Sequence, residues 1–407
     1  MSIWFRPRLL LPVLGLAFTF SALGQTFSSG STGADGALDL TAGDRTVQLP
    51  DSGILNYTTV NIPAGRTLKF GLNLKNTPVV MLAQGAVSIA GAINVSAIGA
   101  FGYSGSPGPG GFYGGNTNQD GFGPGAGIAA SSQLNGSWVG PLSLVPIIGG
   151  SGGAGTNGWP GGGGGGAIVI AASLSVATLP GSQIYSNGVS SGGNGGVGAS
   201  GAIRLVSNAI NVAGSLSAAI VRLEAPLSAL IYTGTGTPPV RSTINPTIVP
   251  TNPPALNITS IGGYPVPSYS GSSFTTIDVL LPTQLQDPIP VVVQATNVPP
   301  GSPVSIAFSG SVGATSTTAN LSGTTTSSTA TVYVSGLTRS SVTFLFASTT
   351  FSASLIAGLT RADASGLSDV QLAAAPGRRT TYRFLRKDGS EISAAKLPED
   401  IRHMFGL

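Results

Sequence analysis

Carboxylates, the side chains most often used for hydrolysis, are sparse in the first half of this chain. Asp120 and Glu224 are the only acidic residues between Ser52 and Ile277. Hydrolysis of a glycosidic bond needs two carboxyl groups flanking that bond, and a calcium-dependent lyase needs several carboxylates together with a basic residue. Because Asp120 and Glu224 lie far apart in sequence, we expect neither arrangement.

Serine motifs occur in the same region without the partners that catalysis requires. Ser151 and Ser190 each lie in a Gly-x-Ser-x-Gly pentapeptide. That motif produces a nucleophile at a strand-to-helix turn with a histidine nearby, and the single histidine, His403, lies close to the C-terminus. We therefore interpret both serines as structural, and the sequence predicts that the protein is not an enzyme.

The phosphate-binding and metal-binding patterns are incomplete. Residues 150–155 read Gly-x-Gly-x-x-Gly, but the Thr-Asn-Gly-Trp-Pro that follows cannot open the helix of a dinucleotide site. Residues 116–121 resemble the first half of a calcium loop, but Gly127 stands where a bidentate Glu is required. The chain has no cysteine, which excludes disulfides and thiolate chemistry. The sequence predicts no cofactor and no metal site.

Aromatic residues in a glycine-rich segment are the best candidates for ligand binding. Residues 100–165 are dominated by Gly, Pro, Asn and Ser, and the rings set among them can stack on a sugar or a partner. The candidate ligand-binding residues are Tyr103, Phe112, Tyr113, Trp138 and Trp159. The alternative is a poorly ordered insertion whose rings fix it to the rest of the fold. A strand is expected inside it at residues 142–148.

Repeated strands must carry this segment. Gly166-Ala-Ile-Val-Ile170 returns 35 residues later as Gly201-Ala-Ile-Arg-Leu205, and an earlier copy lies at residues 79–99. Small polar and apolar residues alternate with period two at residues 86–95, which predicts strands rather than helices. Short strands at a fixed spacing indicate the stacked coils of a parallel β-helix. In such a coil we expect Arg204 to face solvent, between Ile203 and Leu205.

The coils resemble those of exported bacterial right-handed parallel β-helix proteins of the adhesin and surface-protein kind, over residues 38–227. Residues 256–352 contain about seven short candidate strands and resemble the immunoglobulin-like β-sandwich modules of secreted bacterial proteins. The expected inner face of that sandwich includes Ile277, Val291 and Val332. These resemblances imply an all-β fold and a structural or adhesive role.

The chain divides into five expected regions. Arg6 and Arg8, an apolar stretch and Ala22-Leu-Gly24 predict a cleaved signal peptide. The regions are a signal peptide at 1–24, a β-helix at 25–227 with a glycine-rich excursion at about 100–165, a Pro/Thr linker at 228–255, an immunoglobulin-like sandwich at 256–352, and a charged tail at 353–407 with an Asp388-Gly389 hairpin and a short helix. Export places the mature protein outside the cell or on its surface.

Composition restricts the partners. Only 8% of the 407 residues are charged and the formal net charge is +4, with no basic stripe along the repeats, so we expect no nucleic acid. No apolar stretch after residue 24 is long enough to span a bilayer as a helix. The sequence therefore predicts a secreted or cell-surface structural or adhesive protein that binds a glycan or a surface protein. The alternative is a carbohydrate-active β-helix enzyme, either a polysaccharide lyase or a glycoside hydrolase, or its inactive glycan-binding relative. The oligomeric state stays open.

Overall fold

A computed structural model gives the fold of most of the chain. It describes residues 26–73, 76–100, 103–129, 131–249, 254–267, 277–309, 314–337, 343–352, 367–374, 381–392 and 397. The predicted signal peptide and the predicted C-terminal helix lie outside the described residues. Within the described residues the secondary structure is β, apart from one 3₁₀ turn at Leu227–Ala229.

Residues 38–242 form short strands that wind around three sheets. They are β1 (Leu38–Asp39), β2 (Arg45–Gln48), β3 (Ile54–Tyr57), β4 (Val60–Ile62), β5 (Thr67–Gly71), β6 (Val79–Ala83), β7 (Ala86–Ile89), β8 (Ala92–Asn94), β9 (Ile98–Ala100), β10 (Tyr103–Ser106), β11 (Ala167–Ala172), β12 (Ser175–Thr178), β13 (Gln183–Tyr185), β14 (Ala202–Ser207), β15 (Ile210–Val212), β16 (Ser215–Ser217), β17 (Ile220–Glu224), β18 (Leu230–Tyr232), β19 (Thr235–Gly236) and β20 (Val240–Ser242).

Apart from β9 and β10, which form a separate antiparallel pair, successive strands visit the three sheets in turn, so that each sheet is a stack of parallel strands. Sheet I has the order β1-β4-β7-β12-β15-β18, sheet II the order β2-β5-β8-β13-β16-β19, and sheet III the order β3-β6-β11-β14-β17-β20. All neighbours in these sheets pair in parallel. The predicted β-helix arrangement of stacked coils is confirmed at this level.

The 35-residue sequence repeat sets the register in which neighbouring coils pair. Ile168 pairs with Ile203 in the next coil and with Val79 in the coil before. Alternate side chains point inward, and Ile168, Ile203 and Leu223 are fully buried in the core shared by the three sheets. A single coil could not bury these side chains, so the stack stabilises every coil it contains.

Sheet III is covered on its outer face as well. All residues of β11 and β14 are buried, and the outward Val169 and Val206 pack with Leu144 and Ile147 in a second apolar cluster. A strand covered on both faces needs apolar residues throughout, which explains the continuous apolar run of β11. The strand expected at 142–148 is wrong, because this segment is irregular and covers sheet III with its side chains.

The coils run past their predicted end at residue 227. β18, β19 and β20 pair in parallel with β15, β16 and β17, so residues 228–242 form a further coil and not a linker. Arg241 takes the position that pairs with Leu223 in the coil before. Its guanidinium carbon lies 5.3 Å from the centroid of the Tyr232 ring. Arg241 is exposed, and a charge at this position of the last coil ends the apolar stack and disfavours pairing with another edge.

The segment at the start of the described chain is a strap across the coils. Ser29 Oγ donates to Ala83 O at 2.7 Å, and Ser31 Oγ donates to Tyr57 O at 2.7 Å. Phe27 N donates to the side chain of Asn208 at 3.0 Å. The strap therefore joins several coils, through the backbone N–H of Phe27 and through the side chains of Ser29 and Ser31, which face the same side because alternate residues of an extended chain do so.

The C-terminal unit consists of two antiparallel sheets around one core. Its strands are β21 (Ala255–Ile261), β22 (Tyr264–Pro265), β23 (Ile289–Thr296), β24 (Pro303–Ser309), β25 (Thr315–Ser316), β26 (Ala319–Asn320), β27 (Ser322–Thr324), β28 (Ser327–Ser335), β29 (Phe344–Ser352), β30 (Asp369–Ala374) and β31 (Thr381–Leu385). One sheet has the order β22-β21-β23-β28-β25 with β27 paired to β28, and the other has the order β26-β24-β29-β30-β31.

The alternation of exposed and buried residues along the strands agrees with the sequence prediction for this unit, except for one core residue and for the extent of the second sheet. Val291 and Val332 are fully buried in the core, but Ile277 is 54% exposed, so its predicted place on the inner face is wrong. β30 and β31 come from the region expected to be a separate tail, and they complete the second sheet. The Asp388-Gly389 turn is confirmed, because Arg386 N donates to Ser390 O at 2.8 Å across it.

Candidate functional site

The glycine-rich excursion forms a bundle of extended segments, which we call the glycine bundle: residues 105–115, 121–127, 149–155, 160–166 and 195–201. Within it, hydrogen bonds recur every third residue. The amides of Gly161, Gly164 and Ala167 donate to the carbonyls of Gly115, Phe112 and Pro109, and those of Gly162 and Gly165 donate to Gly196 and Ala199. Three residues per turn is the repeat of the polyproline II helix, which makes no hydrogen bonds within itself. Each segment therefore satisfies its backbone through its neighbours.

The absence of side chains makes this packing feasible. A Cβ added to Gly162 would lie 1.6 Å from Val189 O, and one added to Gly164 would lie 1.9 Å from Gly150 O. Residues 149–155 are all buried. The same crowding requires glycine at the axis of collagen. The glycine run at 161–166 is thus a structural requirement of close backbone packing.

One end of the glycine bundle is attached to the coils. Gly166 N donates to Val95 O at 2.8 Å, and Ser186 Oγ donates to Gly166 O at 2.5 Å. The Asn76 side chain donates to Gly111 O at 2.7 Å. These contacts fix the base of the bundle on the β-helix. From residue 167 to residue 161 the polyproline II rise of 3.1 Å per residue places the opposite end roughly 19 Å from this base.

Loops meet at that opposite end, and we call their described residues the loop cluster: 116–120, 128–129, 131–135, 156–159 and 191–195. Hydrogen bonds join the loops to one another and to the ends of the bundle segments. The bonds are Asn118 N to Thr156 O (3.3 Å), Gly155 N to Gln119 O (2.8 Å), Ala129 N to Asp120 Oδ1 (2.7 Å), Ala154 N to Leu134 O (2.7 Å), Val197 N to Asn135 Oδ1 (2.8 Å) and Ser191 Oγ to Pro160 O. The cluster is therefore one connected surface.

The exposed chemistry of the loop cluster is polar and almost uncharged. The exposed side chains are those of Asn116, Thr117, Asn118, Asp120, Ser131, Ser132, Gln133, Asn135, Asn157 and Asn194, together with one apolar side chain, Ile128. Asp120 is the only charged residue among the described members of the cluster. Amides and hydroxyls both donate and accept hydrogen bonds, so this surface suits a neutral polar ligand.

Two acceptors inside the loop cluster have no protein partner. Gln119 Oε1 and Thr156 Oγ1 are buried and without a hydrogen bond. Their residues lie on loops that are joined by backbone hydrogen bonds between residues 118–119 and 155–156. Buried polar atoms of this kind are normally satisfied by water or a ligand.

The structure brings only one of the predicted aromatic residues into the loop cluster. Trp159 lies there, and its indole packs directly on Gly193, where an added Cβ would be 2.0 Å from Trp159 Cδ2. Trp138 is half-buried beside sheet III and donates its Nε1–H to Ile148 O at 3.1 Å. Trp138 thus fixes the excursion to the coils.

The other three candidates lie in the excursion outside these loops, and the residue after Tyr103, Ser104, donates its Oγ to Gly115 O at 3.3 Å at the far end of the glycine bundle. Tyr103 is in β10, paired with Ala100 of β9. Phe112 and Tyr113 are half-buried in the glycine bundle. Residues 191–195 were missed by the sequence prediction because they follow the coil strand β13. Their Gly-Gly-Asn-Gly texture, which matches that of the excursion, is the signal that would have found them.

The second of the sparse carboxylates is held by arginines. Glu224 Oε1 and Oε2 accept from Arg204 Nε and Nη2 at 3.2 and 2.9 Å, and Oε1 also accepts from Arg222 Nε at 2.5 Å. Arg204 and Glu224 are fully buried, so the expectation that Arg204 faces solvent is wrong. Its guanidinium also donates to Asn245 O and Thr247 O, which places the segment after β20 over the outer face of sheet III.

The serine motifs are part of the glycine bundle and the loops. Ser151 is fully buried, and its Oγ accepts from Gly125 N at 2.9 Å. Ser190 Oγ accepts from Gly192 N at 3.2 Å. Neither serine is followed by a helix among the described residues. The described residues also contain no group of three or more His, Cys, Asp or Glu side chains able to hold a metal.

Comparison with protein families, with curated proteins and with solved structures gives no match for this chain. Among the described residues, no helix combines the length and the apolar character needed to cross a membrane.

Proposed function

We propose that this chain is an exported, secreted or cell-surface protein of the adhesive kind, which binds a surface glycan or a protein partner through the loop cluster and performs no catalysis. In this proposal the coils form a right-handed β-helix, since parallel crossover connections are right-handed, and the sandwich is an immunoglobulin-like module. The observation that carries the proposal is the loop cluster itself, which lies at the end of the glycine bundle opposite the coils and is held there by hydrogen bonds with a three-residue repeat.

The construction of the bundle supports a recognition role. Most of its hydrogen bonds join backbone groups, so they are largely independent of the side chains exposed in the loops. Loops on a rigid scaffold are the common location of binding residues. A scaffold that fixes the loops before binding also reduces the conformational entropy lost when a ligand binds.

The environment of the acidic residues supports the absence of catalysis. Glu224 is surrounded by Arg204 and Arg222 beneath a covering segment, which leaves its carboxylate no access to a substrate. The Asp120 carboxylate accepts from Ala129 N in the loop cluster. Glycoside hydrolysis requires two carboxyl groups on one scissile bond, whereas Glu224 lies in sheet III of the coils and Asp120 lies in the loop cluster.

A glycan array probed with the mature protein, residues 25–407, tests the proposal. The variant combines Ile128→Ala, Gln133→Ala and Asn157→Ala, three exposed side chains of the loop cluster. The matched control is Asn211→Ala, an exposed side chain on the outer face of sheet I. We expect the triple variant to lose about tenfold or more in affinity and the control to bind as wild type.

Binding to a protein partner is tested by measuring the binding of the same variants to intact bacterial cells. Equal binding by wild type and the triple variant in both assays would show that the loops are not the binding surface. Cleavage of a polysaccharide that is abolished by Asp120→Ala would replace the proposal with the enzymatic alternative.

A further inference from the structure

A second concave surface lies on the C-terminal unit, away from the loop cluster. It is a shallow groove where β25 pairs with β28 at the edge of the first sheet. Its lining residues are Pro288, Thr315, Ser316, Thr317, Tyr333 and Ser335. None of the six carries a charge.

Tyr333 is the aromatic residue of this groove, and the strand pattern turns it outward. On β28 buried and exposed residues alternate, so Val332 and Val334 enter the core while Tyr333 stays 46% exposed. Its backbone is fixed by Thr317, because Thr317 N donates to Tyr333 O and Tyr333 N donates to Thr317 Oγ1, each at 2.9 Å. The strand that carries the exposed ring is therefore fixed in the sheet before any ligand binds.

Hydroxyl groups surround the ring. Ser316 Oγ is used within the fold, where it donates to Ile306 O at 2.8 Å. The hydroxyls of Thr315 and Ser335 make no hydrogen bond to the described part of the chain. An aromatic face with hydroxyls beside it matches a sugar ring, whose C–H face is apolar and whose rim consists of hydroxyl donors and acceptors.

We propose that this groove is a binding site for a neutral saccharide, with Tyr333 stacking on the sugar ring and the hydroxyls of Thr315 and Ser335 bonding to its rim. The absence of charge in the lining disfavours acidic sugars and phosphates, which are held by Arg or Lys. An extended peptide that adds to the edge of β25 is the competing occupant. It would gain few backbone hydrogen bonds, because β25 consists of Thr315–Ser316 alone.

The test is a titration of the mature protein with a panel of neutral gluco-, galacto- and manno-oligosaccharides, followed by saturation-transfer NMR and calorimetry. The variants are Tyr333→Ala and Tyr333→Phe, and the matched control is Thr329→Ala, an exposed residue of the same strand outside the groove. We expect Tyr333→Ala to weaken binding about tenfold or more, Tyr333→Phe to retain most of it, and Thr329→Ala to change nothing.

The loop-cluster triple variant separates this proposal from the first one. Binding at the groove should persist in that variant, since none of its substituted residues lines the groove. The proposal is overturned if wild type binds no oligosaccharide of the panel, if Tyr333→Ala binds as wild type, or if binding is displaced by an extended Ser/Thr-rich peptide that pairs with β25.

Discussion

A single methyl group should disrupt the glycine bundle. In Gly164→Ala the new Cβ would lie 1.9 Å from Gly150 O and 2.4 Å from Gly150 C, whereas Cβ atoms do not approach other atoms within 3.0 Å. The obstructing atoms are backbone, so no side chain can rotate away. The segment 149–155 must therefore move from 160–166 by about 1 Å.

The cost follows from the hydrogen bonds between these segments. Gly150 N lies 2.8 Å from Gly165 O, and Gly153 N lies 2.9 Å from Gly162 O. A separation of about 1 Å takes both pairs beyond hydrogen-bonding distance. The loss of these two buried hydrogen bonds should reduce the free energy of unfolding by about 2–5 kcal/mol.

Urea denaturation and amide hydrogen exchange of the mature protein measure this loss. Exchange at Gly150 and Gly153, whose amides donate across this contact, should accelerate in Gly164→Ala. The control Gly158→Ala has open space around its Cβ and a φ of 86°, so it should cost only the left-handed backbone penalty of about 1–2 kcal/mol and leave those amides protected. Wild-type protection in Gly164→Ala would refute the close packing of the bundle.

Other predictions concern the coils. Glu224→Gln leaves the charge of the buried Arg204 uncompensated and should lower the free energy of unfolding by about 3–5 kcal/mol. Glu391→Gln, in an exposed ion pair, should lower it by less than about 1 kcal/mol. Equal losses of the two variants in urea denaturation would contradict the stabilising role of the buried ion pair. Arg241→Leu makes the end of the stack apolar and should cause self-association in sedimentation experiments, and a variant that sediments as wild type would exclude a capping role. Burial raises the pKa of Tyr57 above its ordinary value. The stability that its neutral form contributes is therefore complete below about pH 10 and declines as the pH rises through the raised pKa. Tyr57→Phe should remove this alkaline decline in stability, and an unchanged decline in the variant would contradict the role of Tyr57.

The coils could be predicted because stacking repeats a pattern. The alternation at residues 86–95 became β7 and β8, and the 35-residue repeat became the register of β11 on β14. Each coil carries its own copy of the signal, since every coil must present apolar residues to the same core. The extra coil at 228–242 was missed because Arg241 and Gly236 replace apolar residues at its inward positions.

The burial of Arg204 could not be predicted from its neighbours in sequence. Alternation with Ile203 and Leu205 correctly puts Arg204 on the outer face of sheet III. Whether that face is exposed to solvent depends on the two segments that cover it, residues 142–148 and 242–249. The first lies far from Arg204 in sequence, and the second follows a proline-rich stretch. Its partner Glu224 becomes adjacent only when β17 stacks on β14.

The candidate site was predicted in part. Trp159 and the region 100–165 were identified, but a run of glycines has no hydrophobic pattern that predicts polyproline II packing. What specifies the bundle is the absence of Cβ atoms at many positions at once, as at Gly162 and Gly164. Residues 191–195 join the loop cluster because the parallel contact of 162 and 165 with 196 and 199 brings that loop to the same end.

Hydrogen exchange of the mature protein, with and without the tightest glycan found on the array, tests the proposed recognition role most directly. We predict that protection on binding concentrates at residues 116–120, 128–129, 131–135, 156–159 and 191–195, while the outer faces of sheets I and II exchange as in the free protein. Protection confined to the coils, with the loop cluster unchanged, would contradict the role proposed for the glycine bundle.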